Sequence, residues 1–175
     1  MRTIPIDMLK QIFSYDPVSG HVYWNIPRRN GTKAGDIAGK IDSTSGYVRV
    51  TFAQKILKTH RIAWALTYGE WPTLDIDHIN NNRSDNRLSN LRLASRAENI
   101  RNKKKHNNTK CTLKGATPYI NYEGKYIAQI NIFGIQKNLG VFDSEQAAHD
   151  KYCEVAKEEF GEFYNPDCSC HQSGL

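Results

Sequence analysis

Asp77 and His78 are neighbours in the stretch Leu74 to Lys105, LDIDHINNNRSDNRLSNLRLASRAENIRNKKK. Further on, Ser95 and Glu98 form an S-x-x-E capping pattern that predicts a helix starting at Ser95, and Asn99 lies about one turn into it. If that helix packs back across the two short strands read ahead of it, Asn99 meets Asp77 and His78. Aspartate offers a hard anionic oxygen and asparagine a neutral carbonyl oxygen. Two such ligands with open positions suit one Mg2+ (or Mn2+) ion per site, which keeps waters and takes a substrate phosphate. A neutral histidine beside the ion, with an ordinary pKa of about 6.5, can take a proton from water. Base, metal and oxygen donors together fit hydrolysis of a phosphodiester. Asn102 and His106, three and seven residues beyond Asn99, compete as the second ligand, and helical spacing does not separate them.

The run DHINNNRSDNRLSNLRLASRAEN resembles the HNH motif of phage and intron-homing endonucleases, whose fold is the ββα-metal type. The resemblance implies that Asp77 is the first metal ligand and His78 the general base. It implies that Asn90 pins the loop, and it selects Asn99 as the second ligand over Asn102 and His106. The implied reaction is hydrolysis of double-stranded DNA, one strand per site, leaving a 5′-phosphate and a 3′-hydroxyl. Asn80, Asn81, Asn82 and Asn86 read as ordinary loop residues, because asparagine favours turns and tolerates the left-handed region. Two rivals differ in class. One is a non-cleaving DNA-binding regulator with an idle HNH core, against which the intact Asp77, His78 and Asn99 argue. The other is a nuclease of structured RNA, which keeps the chemistry and changes the substrate.

These residues need elements to position them. Ile6, Leu9 and Phe13 recur at helical spacing and predict a short helix over 5–13. Asp16-Pro17-Val18-Ser19-Gly20 is turn chemistry, and a strand follows over His21 to Trp24. Strands are expected over Tyr47 to Phe52 and Ile56 to Thr59, with a turn near Ala53. A helix over His60 to Tyr68 stops at Gly69. Around it, YDPVSGHVYW and THRIAWALTYGEWP resemble the region preceding HNH motifs in phage endonucleases. His60 and Arg61 fall near the site in that arrangement, with packing or helix capping as their role. The chain therefore reads as an α+β segment over 1–72 packing on the nuclease core, the HNH motif over 73–105 and a basic linker over 106–112. A second module over 113–167 and a tail over 168–175 complete it.

The second module shows strand patterns over Ala116 to Tyr122, Lys125 to Phe133 and Ile135 to Phe142, joined by hairpin turns at Glu123-Gly124 and Phe133-Gly134. A helix follows from Ser144 to Phe160, with Ala148, Tyr152, Val155, Ala156 and Phe160 as its apolar stripe. The expected architecture is a three-stranded antiparallel sheet packed on one helix. Tyr126, Ala128 and Ile130 should face the helix, and the opposite, polar face is left open. Such a ribbon can enter a major groove and read base edges. The string KYIAQINIFGIQKNLGVFDSEQAAHDKYCEVAKEEFGEF resembles the Apetala2-type DNA-binding domain of plant transcription factors and phage endonucleases. The resemblance implies groove-facing positions at Thr117, Tyr119, Lys125, Ile127, Gln129, Asn131, Gln136 and Asn138. The plant domains place several Arg and Trp there, so no base preference transfers.

Charge supports a polyanion partner. The chain has a formal net charge of +6, and residues 96–110 alone carry six basic groups against one acidic. Residues 141–175 carry two against eight. Arg96, Arg101, Lys103, Lys104 and Lys105 therefore read as contacts to the phosphate backbone. No run of about 18 apolar residues exists, so no membrane partner is expected. The start MRTIPIDMLKQ lacks an apolar signal core, which reads as cytoplasmic. Cys111, Cys153, Cys168 and Cys170 make no disulfide framework, and the tail Cys168-Ser169-Cys170-His171 is at most a fragment of a soft-metal site.

Overall fold

A computed structural model describes residues 4–29, 31–102, 113–120 and 122–165. Lys103, Lys104, Lys105, the linker 106–112 and the tail 168–175 lie outside the described residues. The fold is of the α+β class, and its sheets are antiparallel. The chain divides into two compact units, residues 1–95 and 96–175.

The first unit opens with α1, Ile6–Ile12, which buries Leu9 and Ile12. Strands β1, Phe13–Tyr15, and β2, Val22–Trp24, form a hairpin in which Phe13 pairs with Trp24. Phe13 continues the helical spacing of Ile6 and Leu9, so the sequence pattern hides the switch from helix to strand. The Asp16 carboxylate accepts the Val18 and Ser19 N–H groups and closes the turn. Gly20 there has φ +76°, and a Cβ on it would lie 2.5 Å from the Arg87 nitrogen. The absence of a side chain lets the Asn86–Arg87 backbone lie directly against the turn.

Strands β3, Lys40–Ile41, β4, Val48–Phe52, and β5, Lys55–Lys58, form the second sheet in the order β3-β4-β5. The two-residue β3 has no hydrophobic pattern, and sequence reading leaves it out. Helix α2, Thr59–Tyr68, follows β5 directly and ends at Gly69 in the left-handed conformation. One side of α2 puts Ile62 and Ala65 into a core with Leu9, Phe13, Val22, Trp24 and Val50. Its other side puts Ala63 against Ile76 and Leu91. Those last two belong to β6, Asp75–His78, and β7, Leu91–Ala94, an antiparallel pair in which Asp77 faces Arg92 and His78 faces Leu91. Helix α2 thus ties the main core to the ribbon that carries the Asp-His pair.

The second unit contains α3, Arg96–Asn102, then β8, Ala116–Pro118, β9, Tyr126–Ile132, β10, Ile135–Phe142, and α4, Glu145–Phe160. Strand order is β10-β9-β8. The first strand is shorter than its sequence pattern and stops at Pro118. Beyond it the chain closes a turn in which the Tyr119 N–H donates to the Lys125 carbonyl. The Ser144 hydroxyl caps α4 by accepting the Ala147 N–H. Ala148, Tyr152, Ala156 and Phe160, spaced by four, are all buried. They pack on Ala116, Ala128, Ile130 and Ile132 as the sequence pattern requires. Among the described residues no helix is long and apolar enough to cross a membrane.

Candidate active site

The loop between β6 and β7 is built almost entirely from side-chain hydrogen bonds. Asn90 is buried; its carbonyl oxygen accepts the Asn80 N–H at 3.0 Å, and its amide donates to the Asp85 carbonyl at 2.8 Å. Asn90 therefore joins the two ends of the loop. Arg87 holds the Asp85 carboxylate at 2.6–2.8 Å, and Asn80 adds a third bond. These hydrogen bonds, Arg87 first, pull the Asp85 acid down to about 2. Asn80 and Asn82 serve the loop locally by accepting backbone N–H groups two residues on.

Asn86 does not behave as an ordinary loop residue, and its sequence reading is corrected here. It is buried beneath the loop, 3% exposed. Its amide donates to the Thr59 hydroxyl at 3.0 Å, and the Thr59 hydroxyl donates to the Val48 carbonyl at 3.2 Å. The Asn86 oxygen is thereby turned to His78 Nε2, 3.1 Å away. Each donor in this chain has one acceptor, so Nε2 carries the imidazole proton and Nδ1 is the proton-accepting nitrogen. The Tyr15 hydroxyl holds the Asn86 backbone by donating to its carbonyl at 2.8 Å, and burial pushes that phenol up to about 12, so it stays a donor. Asn86 and Thr59 come from different segments, which is why spacing does not reveal them. Asn86 shares its residue type with Asn80 and Asn82, so the sequence carries no signal that sets it apart.

Around His78 stands an aromatic cage. The His60 ring lies edge-on to His78 at 5.0 Å, and Tyr47 sits 5.1 Å from His60 and 5.8 Å from His78. Burial, then the neighbouring His78, pushes the His60 imidazole down to about 3. His60 is therefore neutral, and among the described residues its buried Nδ1 has no hydrogen-bond partner. Burial also lowers His78, with the Asn86 hydrogen bond and the Asp77 charge acting in the opposite direction. A neutral His78 is what a base requires. Arg61, read together with His60, instead donates to the Pro72 and Leu74 carbonyls and braces the entry into β6.

Asp77 is 4% exposed, and its Oδ2 accepts Nε and Nη2 of the cross-strand Arg92 at 3.0 and 2.8 Å. The Arg92 cation offsets the cost of burying that carboxylate. The donor chemistry fits a hard cation of the Mg2+ class, for which one carboxylate, waters and a substrate phosphate suffice. Among the described residues no three His, Cys, Asp or Glu side chains gather into a closed metal cage. Asn99 lies half-buried in α3, in the second unit. Asn102, its rival, is fully buried in that unit, where its carbonyl accepts the Asn165 amide. His106 lies outside the described residues.

Of the expected groove-facing positions, Thr117, Ile127, Gln129, Asn131, Gln136 and Asn138 share one face of the β10-β9-β8 sheet, and Tyr119 and Lys125 lie just outside its strands. Thr117 pairs with Ile127, Asn138 with Gln129 and Gln136 with Asn131. Lys137 belongs to the other face and reaches Glu159 of α4 at 3.8 Å. The amides on the open face are partly occupied locally. Asn131 accepts the Gly134 N–H in the turn, Asn138 accepts the Gly140 N–H at a bulge, and Gln136 donates to Gln129 at 2.7 Å. Lys125 pairs with Asp143, and the Tyr119 ring lies tilted against Tyr122 at 5.0 Å. Arg96 is exposed on α3. The Arg101 side chain lies outside what is described.

Residues 57–101 match the family described as HNH endonuclease. These residues carry an HNH endonuclease motif. The HNH segment begins at Leu57, so it takes in Thr59 and His60 as well as Asp77, His78, Asn86, Asn90 and Asn99. A relative, Uncharacterized HNH endonuclease L560 of Acanthamoeba polyphaga mimivirus, is 33% identical over 125 residues. That alignment covers 70% of this chain and 63% of the mimivirus protein, so the chain spans less than two thirds of the relative. A solved structure, described as DNA binding and cleavage by the HNH homing endonuclease I-HmuI, aligns over 92% of this chain and 84% of its own. Its identity is 21% and its TM-score 0.42.

Proposed function

We propose that this chain is a divalent-metal-dependent HNH endonuclease that hydrolyses phosphodiester bonds in duplex DNA and nicks one strand per visit. The observation that carries the reading is the hydrogen-bond chain from Val48 through Thr59 and Asn86 to His78, which fixes the proton on Nε2 and aims the basic Nδ1. In this reading His78 Nδ1 takes the proton of the attacking water. Asp77, paired with Arg92, and Asn99 would hold one Mg2+ or Mn2+, and Asn90 would keep the loop closed. When bound, the cation supplies charge stabilisation at the scissile phosphate and the leaving oxygen.

The second unit is proposed to act as an Apetala2-type reader of duplex DNA. Thr117, Ile127, Gln129, Asn131, Gln136 and Asn138 would line the base edges, with Tyr119 and Lys125 at the margin. Arg96, Arg101, Lys103, Lys104 and Lys105 would contact phosphates without sequence information. Gln129 and Gln136 have first claim as readers, because their mutual bond leaves the Gln129 amide and the remaining lone pairs to face outward.

Incubation with supercoiled plasmid tests the nuclease reading. Conversion to open circle in Mg2+, abolished by EDTA, is the expected result. A plasmid left supercoiled under conditions where the protein binds it would favour the regulator.

A further inference from the structure

Tyr47 forms the outer wall of the histidine cage, half-buried, 5.8 Å from the His78 ring. Two cations stand over it. The Lys58 ammonium lies 4.3 Å from the ring centroid and the Arg83 guanidinium 5.0 Å. Arg83 is anchored by donating to the Ser45 carbonyl at 2.9 Å. Other cations of this region have fixed partners. Arg49 pairs with Asp42, Arg87 with Asp85 and Arg92 with Asp77, and Arg61 caps carbonyls. Among the described residues, Lys58 and Arg83 form no ion pair with a carboxylate.

We infer that Lys58 and Arg83, seated on Tyr47, form a clamp for a backbone phosphate of the nucleic-acid strand presented to His78. The inference rests on the nuclease reading of the site. Its chemistry is the charge-assisted hydrogen bond between ammonium or guanidinium and a phosphodiester oxygen. The aromatic ring restricts both flexible side chains before substrate arrives, so less freedom is lost on binding. Electrostatics point the same way. Burial first, then the Arg49 and Arg61 charges, pushes the Lys58 ammonium below its usual value; Asp75 pulls it up and Arg83 adds to the lowering. An anion at the clamp would relieve that crowding. A phosphate contact carries no base information, so the clamp would serve every duplex alike.

The test is binding of the full chain to a labelled duplex in EDTA, where no cleavage occurs, across a salt titration. Parent, the Lys58→Gln/Arg83→Gln double variant and a charge-matched control, Lys10→Gln/Lys157→Gln, are compared on two unrelated sequences. The double variant should lower the slope of log K against log[salt] by about one, since the loss of one phosphate contact removes about 0.9. Between 50 and 200 mM salt its affinity should fall about three- to fourfold less than the parent's. The control should match the parent, and Lys58→Arg/Arg83→Lys, which keeps both charges, should restore the slope. A double variant with the control's slope on both duplexes overturns the clamp. So does loss of inorganic phosphate binding with the duplex slope intact, which would mark a small-anion site. A parent that binds duplex without nicking it in Mg2+ defeats the nuclease reading but leaves the slope result standing.

Discussion

The two units spend their polar residues differently. In the first, Thr59, His60, Asp77, His78, Asn86 and Asn90 are all buried. Thr59, Asn86, His78 and His60 are linked by hydrogen bonds and a ring contact, Asp77 pairs with Arg92, and Asn90 closes the loop. In the second, the buried polar groups are scattered and structural. His149 bonds the Lys114 carbonyl and contacts the Cys153 sulfur, and Asn165 donates to Asn102. The polar side chains that distinguish the second unit lie on an open sheet face. Burying polar groups is costly unless each is satisfied, so a buried network next to an ionisable pair marks chemistry. The exposed amides of the second unit carry no such desolvation cost.

Ion pairs give the largest test of that contrast. Asp77–Arg92 is buried, with side-chain exposures of 5% and 14%. Lys125–Asp143 is open, at 45% and 85%. Arg92→Ala leaves a buried carboxylate uncompensated and should cost about 3 kcal/mol of stability. Lys125→Ala should cost no more than about 1 kcal/mol. Urea denaturation of both variants measures the difference, and equal losses would break the comparison.

Asn86→Leu comes next. It removes the acceptor that orients His78 and the donor that satisfies Thr59, while keeping the side-chain volume. Nicking by the full chain should slow about 10- to 100-fold, the usual range for a residue that orients a site ligand. Asn86→Asp keeps an acceptor for Nε2 and should recover part of the rate. Leu at this position with parental kinetics would reduce Asn86 to a packing residue.

The smallest effect concerns His60. Its folded-state pKa of about 3 lies below the ordinary 6.5, so between these values the unfolded chain holds the extra proton. The His60 contribution to stability is therefore full above about pH 6.5 and is lost as pH falls toward about 3. Its slope is at most about 1.4 kcal/mol per pH unit. Urea midpoints of the parent and His60→Phe from pH 7 to 5 should diverge, the parent losing more. Parallel curves would place a proton-accepting partner at Nδ1.

What the sequence reveals depends on distance along the chain. The strand-loop-strand-helix order, Asp77-His78 and the pinning Asn90 all lie within one short motif, and local turn and capping chemistry exposes them. The packing of α4 on the β10-β9-β8 sheet is equally local, because a stripe spaced by four faces an alternating strand. Thr59, His60 and Tyr47 reach His78 only through tertiary packing, and no spacing rule connects them to it. Asn86 looks like its loop neighbours in type, and only burial separates it from Asn80 and Asn82. Strand β1 escapes because Phe13 satisfies the helical and extended patterns alike.

The central claim is that His78 is the base of a phosphodiester hydrolysis. The most direct measurement is the nicking rate of His78→Ala on supercoiled plasmid in Mg2+, with duplex binding in EDTA measured on the same preparation. The account predicts a rate about 10² to 10⁴ lower with binding intact. A variant that nicks at the parental rate with unchanged Mg2+ dependence would contradict it.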